Sequence, residues 1–203
     1  MSKEISLPLT SAQAYRAHSW LRSAGIVLAG SALVALCARV SLPLYFTPVP
    51  LSLQPFAVMV LGLLLAPRLA AATLGAYLLE GAVGLPVFAP GAGAPGGMAH
   101  LLGPTGGYLL SYPLAAPLIS FIYRRMRRGF AAAFLSAGAG SLVTLAFGAL
   151  WFAALVHAPI QLVLAQTVVP FLPGDALKVA AAAGIAAGFA HFRHDRGGSP
   201  SRA

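Results

Sequence analysis

The sequence predicts an all-α integral membrane protein with six transmembrane helices, and three observations lead to this fold class. Of its residues, 59% are hydrophobic and 8% are charged, and the mean hydropathy is +0.83. Soluble domains carry roughly a quarter charged residues, so 13 basic and 4 acidic side chains are too few to cover a water-exposed surface. The apolar residues form runs of membrane length, and most basic residues lie in the gaps between them.

Six apolar runs follow one another along the chain. They cover residues 24–44, 56–66, 69–83, 108–123, 130–156 and 176–192. The second run, even when extended back to Leu51, barely reaches the thickness of a membrane. The runs divide the chain into an N-terminal segment (residues 1–22), a six-helix transmembrane domain (23–192) and a basic cytoplasmic tail (193–203).

Three connecting segments are rich in proline and glycine and are therefore not expected to form regular helix. They are residues 47–54 (TPVPLSLQ), 84–107 (GLPVFAPGAGAPGGMAHLLGPTGG) and 170–175 (PFLPGD). Irregular backbone at membrane depth is tolerated only where protein buries it or where it lines a cavity. The segments are either plain connectors or, as we favour, the lid and walls of a ligand pocket.

The basic residues orient the spans, because cytoplasmic loops carry an excess of lysine and arginine. With six spans, the basic groups that flank a span fall on one face, with the single exception of Arg39. They include Lys3, Arg16, Arg22, Arg68, Arg124, Arg125, Arg127, Arg128, Arg193 and Arg196. Both termini are therefore predicted to lie in the cytoplasm, with the pocket facing outward from the cell inner (cytoplasmic) membrane. We interpret the net charge of +9 as the charge that orients the spans. The expected partner is therefore the lipid bilayer, and we expect no binding of nucleic acid.

Asp175 and Lys178 are the strongest candidates for a site. They lie three residues apart at the start of the last span, on one face of a helix. Ionisable residues within transmembrane segments are rare and usually functional. Two interpretations remain open from the sequence. Either Asp175 caps the helix and Lys178 neutralises it, or the pair faces a pocket, where Asp175 accepts hydrogen bonds and Lys178 attracts an anion.

Several other side chains are weaker candidates. Glu80 lies past mid-membrane in the third span and is expected to pair with Arg39 as a structural anchor. Gln54 opens the second span and either serves a pocket or caps backbone. Three aromatic residues have two possible roles: Phe88, Tyr108 and Trp151. Aromatic residues near an interface usually belong to the membrane's aromatic belt. Alternatively, these three form walls of the pocket.

The motifs of common enzyme classes are missing from the sequence. It contains no G-x-x-x-x-G-K-[ST] loop, no H-E-x-x-H and no G-x-S-x-G. His100 has no partner at metal-ligand spacing, and the lone Cys37 excludes a disulfide within the chain. We therefore predict that the chain does not hydrolyse ATP by itself and is not an enzyme, and we assign no catalytic residue, metal or cofactor.

Four segments together resemble the BioY family, the biotin-specific substrate-binding (S) components of energy-coupling factor (ECF) transporters. In order and spacing these are TPVPLSLQ (47–54), YLLEGAVGLPVFA (77–89), LLGPTGGYLLSYPLAA (101–116) and PFLPGDALK (170–178). The resemblance covers about residues 40–183. It implies a six-helix protein that binds biotin from outside with high affinity. It also implies an energising module composed of a transmembrane coupling subunit and two cytoplasmic ATPase subunits.

The resemblance also implies site residues. Asp175 and Lys178 match the polar pair of the last helix that lines the biotin site. Gln54 matches the glutamine that opens the second helix. Gly96 and Gly97 match the glycines of a loop that closes over the ligand. Which polar residue contacts the ureido ring and which the carboxylate is left open.

One feature of the first span departs from the family pattern. S components usually carry Ala-x-x-x-Ala where the coupling subunit packs. Here the alanines at 29, 32, 35 and 38 are spaced by three, and small residues four apart occur at Gly25 and Ala29 and at Ser31 and Ala35. Alternative functions are an S component for another vitamin, which would change the pocket residues, and an intramembrane enzyme, for which no nucleophile and base are found.

Overall fold

The computed structural model describes residues 11–90 and 96–197, with side chains described for 18–90 and 96–192. The regular elements in chain order are α1 (Ser11–Arg39), β1 (Ser41–Leu42), β2 (Leu51–Ser52), α2 (Gln54–Leu64), α3 (Pro67–Ala82), α4 (Met98–Leu101), α5 (Gly106–Arg125), α6 (Phe130–Val156), α7 (Ile160–Thr167) and α8 (Leu172–Gly197). Apart from one short hairpin, the regular structure in the described ranges is helical, as the sequence predicts.

The first helix is shorter at its C-terminal end than the apolar run that predicts it. Helix α1 ends at Arg39, whereas the run continues to Leu44. The residues that follow form an antiparallel pairing of β1 with β2, in which Ser41 lies opposite Ser52. A proline-rich segment lacks the N–H donors needed to extend a helix, so the chain turns back here and leads into α2.

Two further predicted irregular segments contain helix. Residues 84–107 include the four-residue helix α4, and α5 begins at Gly106 rather than at residue 108; residues 91–95 lie outside the described structure. Gly97 precedes α4 with a φ of 80°, a left-handed conformation that glycine adopts without strain. The PFLPGD segment was predicted to be irregular, but its residues from Leu172 onward form the first turn of α8. Proline is tolerated there because the first turn needs no intrahelical N–H bond.

Helix α5 lies at the centre of the bundle and packs against α2, α3 and α6. Helix α8 packs against α6 and α2, and α1 packs against α3 and α2. Small residues allow the close approach of these helices. A Cβ atom added at Gly62 or Gly140 would come within 3 Å of the Ile119 side chain on α5. The bundle therefore brings the starts of α2, α5 and α8 towards one another.

Two helices in the described part of the chain are long and apolar enough to cross a membrane by length and composition. They are His18–Arg39 of α1 and Phe130–Val156 of α6. The pair Ile160–Thr167 and Leu172–Phe192, which is bent by 46°, makes a third if it acts as one broken span. Gln54–Leu64 is apolar but short. The count of six therefore remains a prediction.

The predicted ion pair of Glu80 with Arg39 is not formed. The Glu80 carboxylate instead accepts a hydrogen bond from the Ser31 hydroxyl of α1 at 2.8 Å. The prediction was right that Glu80 ties α3 to α1, but the group that it contacts is a neutral hydroxyl. Among the described side chains, the ion pair that does form is the one between Asp175 and Lys178.

Candidate ligand-binding site

A cavity of about 530 Å³ lies at the end of the bundle where α2, α5 and α8 begin, and we call it the central cavity. It is lined by Val49, Pro50, Ser52, Gln54, Pro55, Ala89, His100, Thr105, Tyr108, Leu109, Tyr112, Thr144, Leu145, Phe171, Asp175 and Lys178. Pockets for small molecules combine apolar walls with a few placed polar groups. The lining of the central cavity has this character.

Each of the three segments rich in proline and glycine contributes to the lining. Residues 49–54 form one wall, and Ala89 and the residues from His100 to Tyr108 form a second. Phe171 and Asp175 come from the third segment. This arrangement agrees with their interpretation as pocket walls and is more than plain connectors would require.

The side chains of Asp175 and Lys178 form a buried ion pair in this lining. Each side chain is 9% exposed, and the Lys178 ammonium donates to Asp175 Oδ1 at 3.2 Å. The hydroxyl of Ser141 on α6 donates to Asp175 Oδ2 at 2.7 Å. Asp175 lies within the first turn of α8, where its own N–H donates to the Phe171 carbonyl at 2.8 Å. The pair therefore faces the cavity, and Asp175 does not act as the helix cap.

The ion pair keeps hydrogen-bonding capacity for a ligand. An ammonium group has three N–H donors, of which the described structure uses one, and a carboxylate offers about four acceptor positions, of which it uses two. Burying two charges costs several kcal/mol unless further hydrogen bonds satisfy them. A polar ligand in the cavity would supply such bonds to both partners.

Gln54 is held in the lining by a chain of hydrogen bonds. The Tyr77 hydroxyl donates to the Val87 carbonyl at 3.0 Å, so it accepts from the Gln54 side-chain NH₂ at 2.5 Å. The Ser52 hydroxyl donates to the Gln54 side-chain carbonyl at 3.1 Å. These partners fix the amide orientation. Gln54 thus lines the central cavity, and its role towards a ligand remains a prediction.

The three aromatic candidates have different positions. Tyr108 lines the cavity, and its hydroxyl donates to the Thr167 carbonyl at 2.5 Å, which holds the α7–α8 turn against α5. Phe88 does not line the cavity but stacks behind His100 with ring centroids 5.1 Å apart. Trp151 is also outside the lining, and its indole N–H donates to the Gly103 carbonyl at 2.9 Å.

The loop glycines lie beside the cavity lining rather than within it. Gly96 is exposed and Gly97 is buried close to the Ala82 carbonyl. Neither of them contacts the Asp175–Lys178 pair or Gln54 in the described structure. The role that the family resemblance implies for them, closing over a ligand, therefore remains a prediction.

Two of the lining residues that were not predicted as site residues are His100 and Thr105, and together we call them the α4–α5 corner. The Thr105 hydroxyl is buried and has no hydrogen-bond partner, the one such side-chain atom in the described part of the chain. The His100 ring forms no hydrogen bond with a described residue. It is buried, and burial lowers the pKa of His100 below its ordinary value. Native proteins rarely leave a buried hydroxyl unpaired, so the Thr105 hydroxyl is a candidate ligand contact.

Comparison with known proteins identifies the family of this chain. The BioY family profile matches residues 7–195. The chain is 37% identical over 155 residues to the "Probable biotin transporter BioY" of Pyrococcus horikoshii, covering 76% of this chain and 88% of that protein. It is 36% identical over 180 residues to the "Biotin transporter BioY" of Rhodobacter capsulatus, covering 83% and 92%.

A solved structure shares the fold. The crystal structure of the S-component for biotin from an ECF-type ABC transporter aligns with a TM-score of 0.77 and 26% sequence identity. The alignment covers 86% of this chain and 93% of that one. The family match extends over nearly the whole sequence and includes every segment that lines the central cavity. This chain belongs to the BioY family.

Proposed function

We propose that this chain is the biotin-binding S component of an ECF-type transporter and that biotin occupies the central cavity. One observation carries the proposal: a buried Asp175–Lys178 pair with unused donors and acceptors lines a cavity of about 530 Å³ in a chain of the BioY family. Relatives of this chain are named biotin transporters.

The chemistry of the lining suits biotin. The ureido ring of biotin has two N–H donors and one carbonyl acceptor, and its valerate tail ends in a carboxylate. Asp175 offers acceptors, whereas Lys178 and the α4–α5 corner offer donors. Leu109, Leu145 and Phe171 supply apolar walls for the thioether ring and the alkyl chain. The loop that contains Gly96 and Gly97 closes over the bound ligand.

The proposed topology has six spans with both termini in the cytoplasm and the central cavity open to the outside. The basic residues support it because they flank the spans on one face. Without a nucleotide-binding loop in the sequence, the energy for uptake comes from a transmembrane coupling subunit and two ATPase subunits. The chain resides in the cytoplasmic membrane.

Binding of labelled biotin to the purified chain in detergent tests the function. We expect tight binding without ATP and no comparable binding of other vitamins. In Asp175→Asn, a neutral amide replaces a charged acceptor. The affinity should fall by roughly 1.5–3 kcal/mol, or about tenfold to hundredfold. Normal affinity in a folded Asp175→Asn protein would remove Asp175 from the site, and absence of biotin binding by the unmodified chain would reject the function.

Cysteine labelling tests the topology. Cys37→Ser gives a background without cysteine, since the chain has one. Tyr45→Cys places a thiol at a fully exposed position between β1 and β2, and Gly129→Cys places one in the arginine-rich connection between α5 and α6. An impermeant reagent applied to intact cells should label the first and not the second. Labelling of Gly129→Cys would overturn the proposed orientation.

A further inference from the structure

A second cleft lies at the other end of the bundle, where α5 ends between α2 and α8. It has about 770 Å³ of empty space, part of which is open to solvent, and we call it the basic cleft: its lining includes Leu64, Tyr123, Arg124, Arg128 and Phe189. It shares no lining residue with the central cavity. The binding of biotin gives it no role.

The two arginines of the basic cleft are not neutralised by the described protein. Arg124 donates through Nε to the Ser120 hydroxyl at 3.2 Å, which leaves its other guanidinium N–H groups available. Arg128 forms no ion pair or hydrogen bond with a described residue. The described carboxylates at Glu80 and Asp175 are engaged elsewhere, by Ser31 and by Ser141 with Lys178. Among the described side chains, no carboxylate faces the two positive charges of the cleft.

The position of Arg124 is set by the fold. The Ser120 hydroxyl that accepts its Nε–H itself donates to the Leu65 carbonyl at 2.6 Å, next to the end of α2. This link also satisfies a carbonyl that the helix end leaves without an intrahelical partner. The guanidinium is therefore directed along the α2 side of the cleft. Planar guanidinium groups bind phosphate oxygens with two parallel hydrogen bonds.

The other lining residues of the cleft are mostly apolar. Leu64 is 41% exposed and Phe189 is 56% exposed, whereas Tyr123 in the same lining is buried. A free phosphate ion would use the arginines and leave these side chains bare. A phospholipid would place its phosphate on the arginines and its acyl chain against Leu64 and Phe189. Basic pockets between transmembrane helices are known to bind anionic lipid headgroups.

We propose that the basic cleft binds the phosphate headgroup of an anionic membrane phospholipid, with Arg124 and Arg128 as the phosphate ligands. The site is separate from the biotin site. It holds one end of α5 against α2 and α8 through a lipid molecule, and it does not depend on the identity of the vitamin in the central cavity.

The test is a lipid titration of the purified full-length chain by native mass spectrometry. Phosphatidylglycerol is compared with phosphatidylcholine and with inorganic phosphate. The double variant Arg124→Gln with Arg128→Gln removes the proposed ligands. The matched control, Arg125→Gln with Arg127→Gln, removes the same charge from the same cluster outside the cleft; Arg125 lies over the Phe121 ring instead, at 4.6 Å.

We expect the unmodified chain and the control to bind phosphatidylglycerol in preference to phosphatidylcholine, and the cleft variant to lose affinity at least tenfold. Biotin binding should be unchanged in both variants, which verifies that they are folded. Equal losses in both variants would overturn the proposal, as would equal binding of the two lipids. Binding of inorganic phosphate as tight as that of the lipid would also overturn it. The proposal would also be overturned if Arg124→Gln with Arg128→Gln bound lipid normally but no longer assembled with a coupling subunit.

Discussion

The central cavity contains two polar regions that the protein treats differently. Asp175 and Lys178 bond to each other, and Ser141 supports the carboxylate from α6. At the α4–α5 corner, Thr105 has a buried hydroxyl without a partner, and the ring of His100 bonds to no described residue. The charged groups of one region therefore have partners within the protein before a ligand arrives, and the Thr105 hydroxyl of the other has none.

The difference separates two kinds of contribution. A group that is already bonded in the empty protein supports the fold, so its removal leaves a buried partner unsatisfied and lowers stability. A group that has no partner in the empty protein costs free energy until a ligand satisfies it. Variants at the ion pair should therefore change stability together with affinity, and variants at the α4–α5 corner should change affinity while sparing stability.

The largest effect is expected at Lys178. In Lys178→Met, the Asp175 carboxylate stays buried without its counter-ion, and breaking a buried pair in this way costs about 3–5 kcal/mol; the Ser141 bond places the expected loss of unfolding free energy near 3 kcal/mol. Replacement of both charges, Lys178→Met with Asp175→Leu, should recover most of that stability because apolar residues of similar volume often substitute for a buried pair.

Thermal unfolding in detergent, with biotin binding to the same samples, checks this prediction. The double variant should be stable and should not bind biotin, because the charges are then absent from the cavity. Biotin affinity close to normal in the stable double variant would show that the pair serves the fold alone. The proposed difference between the ion pair and the α4–α5 corner in their effects on affinity would then be wrong.

A smaller effect of opposite character is expected at Thr105. Thr105→Val keeps the branched shape and removes a hydroxyl that has no partner, so the stability of the empty protein should stay constant or rise by about 1 kcal/mol. Biotin affinity should fall by about 0.5–1.5 kcal/mol, roughly two- to twelvefold, as one hydrogen bond to the ligand is lost.

Thr73→Val is the matched control for this change. Thr73 is fully buried in α3, its hydroxyl donates to the Leu69 carbonyl at 2.8 Å, and it does not line the cavity. It should lose a little stability and bind biotin normally. A Thr105→Val protein that is destabilised but binds normally would reverse the assignment of the α4–α5 corner.

The two polar regions also differ in how well they can be predicted from the sequence. Asp175 and Lys178 could be predicted because charges are costly in lipid and therefore conspicuous in an apolar sequence. Their spacing placed them on one face, but only the packing of α6 against α8 brings Ser141 to the carboxylate. The positions of Thr105 and His100 in the cavity lining could not be predicted, since threonine and histidine are common in loops and their burial depends on tertiary contacts. Thr105 lies in a segment that resembles the BioY family, LLGPTGGYLLSYPLAA, but nothing in these letters distinguishes it.

The same limits apply to the fold. The spans starting at Leu69 and Phe130 were predicted to within two residues, because proline and glycine begin α3 and α6 locally. The end of α1 was placed five residues too late, as apolar residues of the hairpin read as a continuation of the span. Hydropathy measures how apolar a side chain is and does not distinguish the end of a helix from the strand that follows it.

The smallest effect is expected at His100 and depends on pH. Burial lowers the pKa of His100 in the folded protein below its ordinary value of 6.5, so the folded state binds protons less readily than the unfolded state. Above the ordinary value the ring is neutral in both states and stability is unaffected. As the pH falls below 6.5, the unfolded state gains the proton first, and the stability of the folded state declines.

His100→Phe retains stacking on Phe88 and should remove this part of the acid sensitivity. The control is His157→Asn, an exposed histidine at the end of α6 whose left-handed conformation asparagine tolerates. Melting temperatures between pH 7.5 and 5 compare the three proteins. If the melting temperatures of the unmodified chain and of His100→Phe declined equally towards acid pH, burial would not protect His100 from protonation. The neutral ring would then be excluded as a ligand partner at the α4–α5 corner.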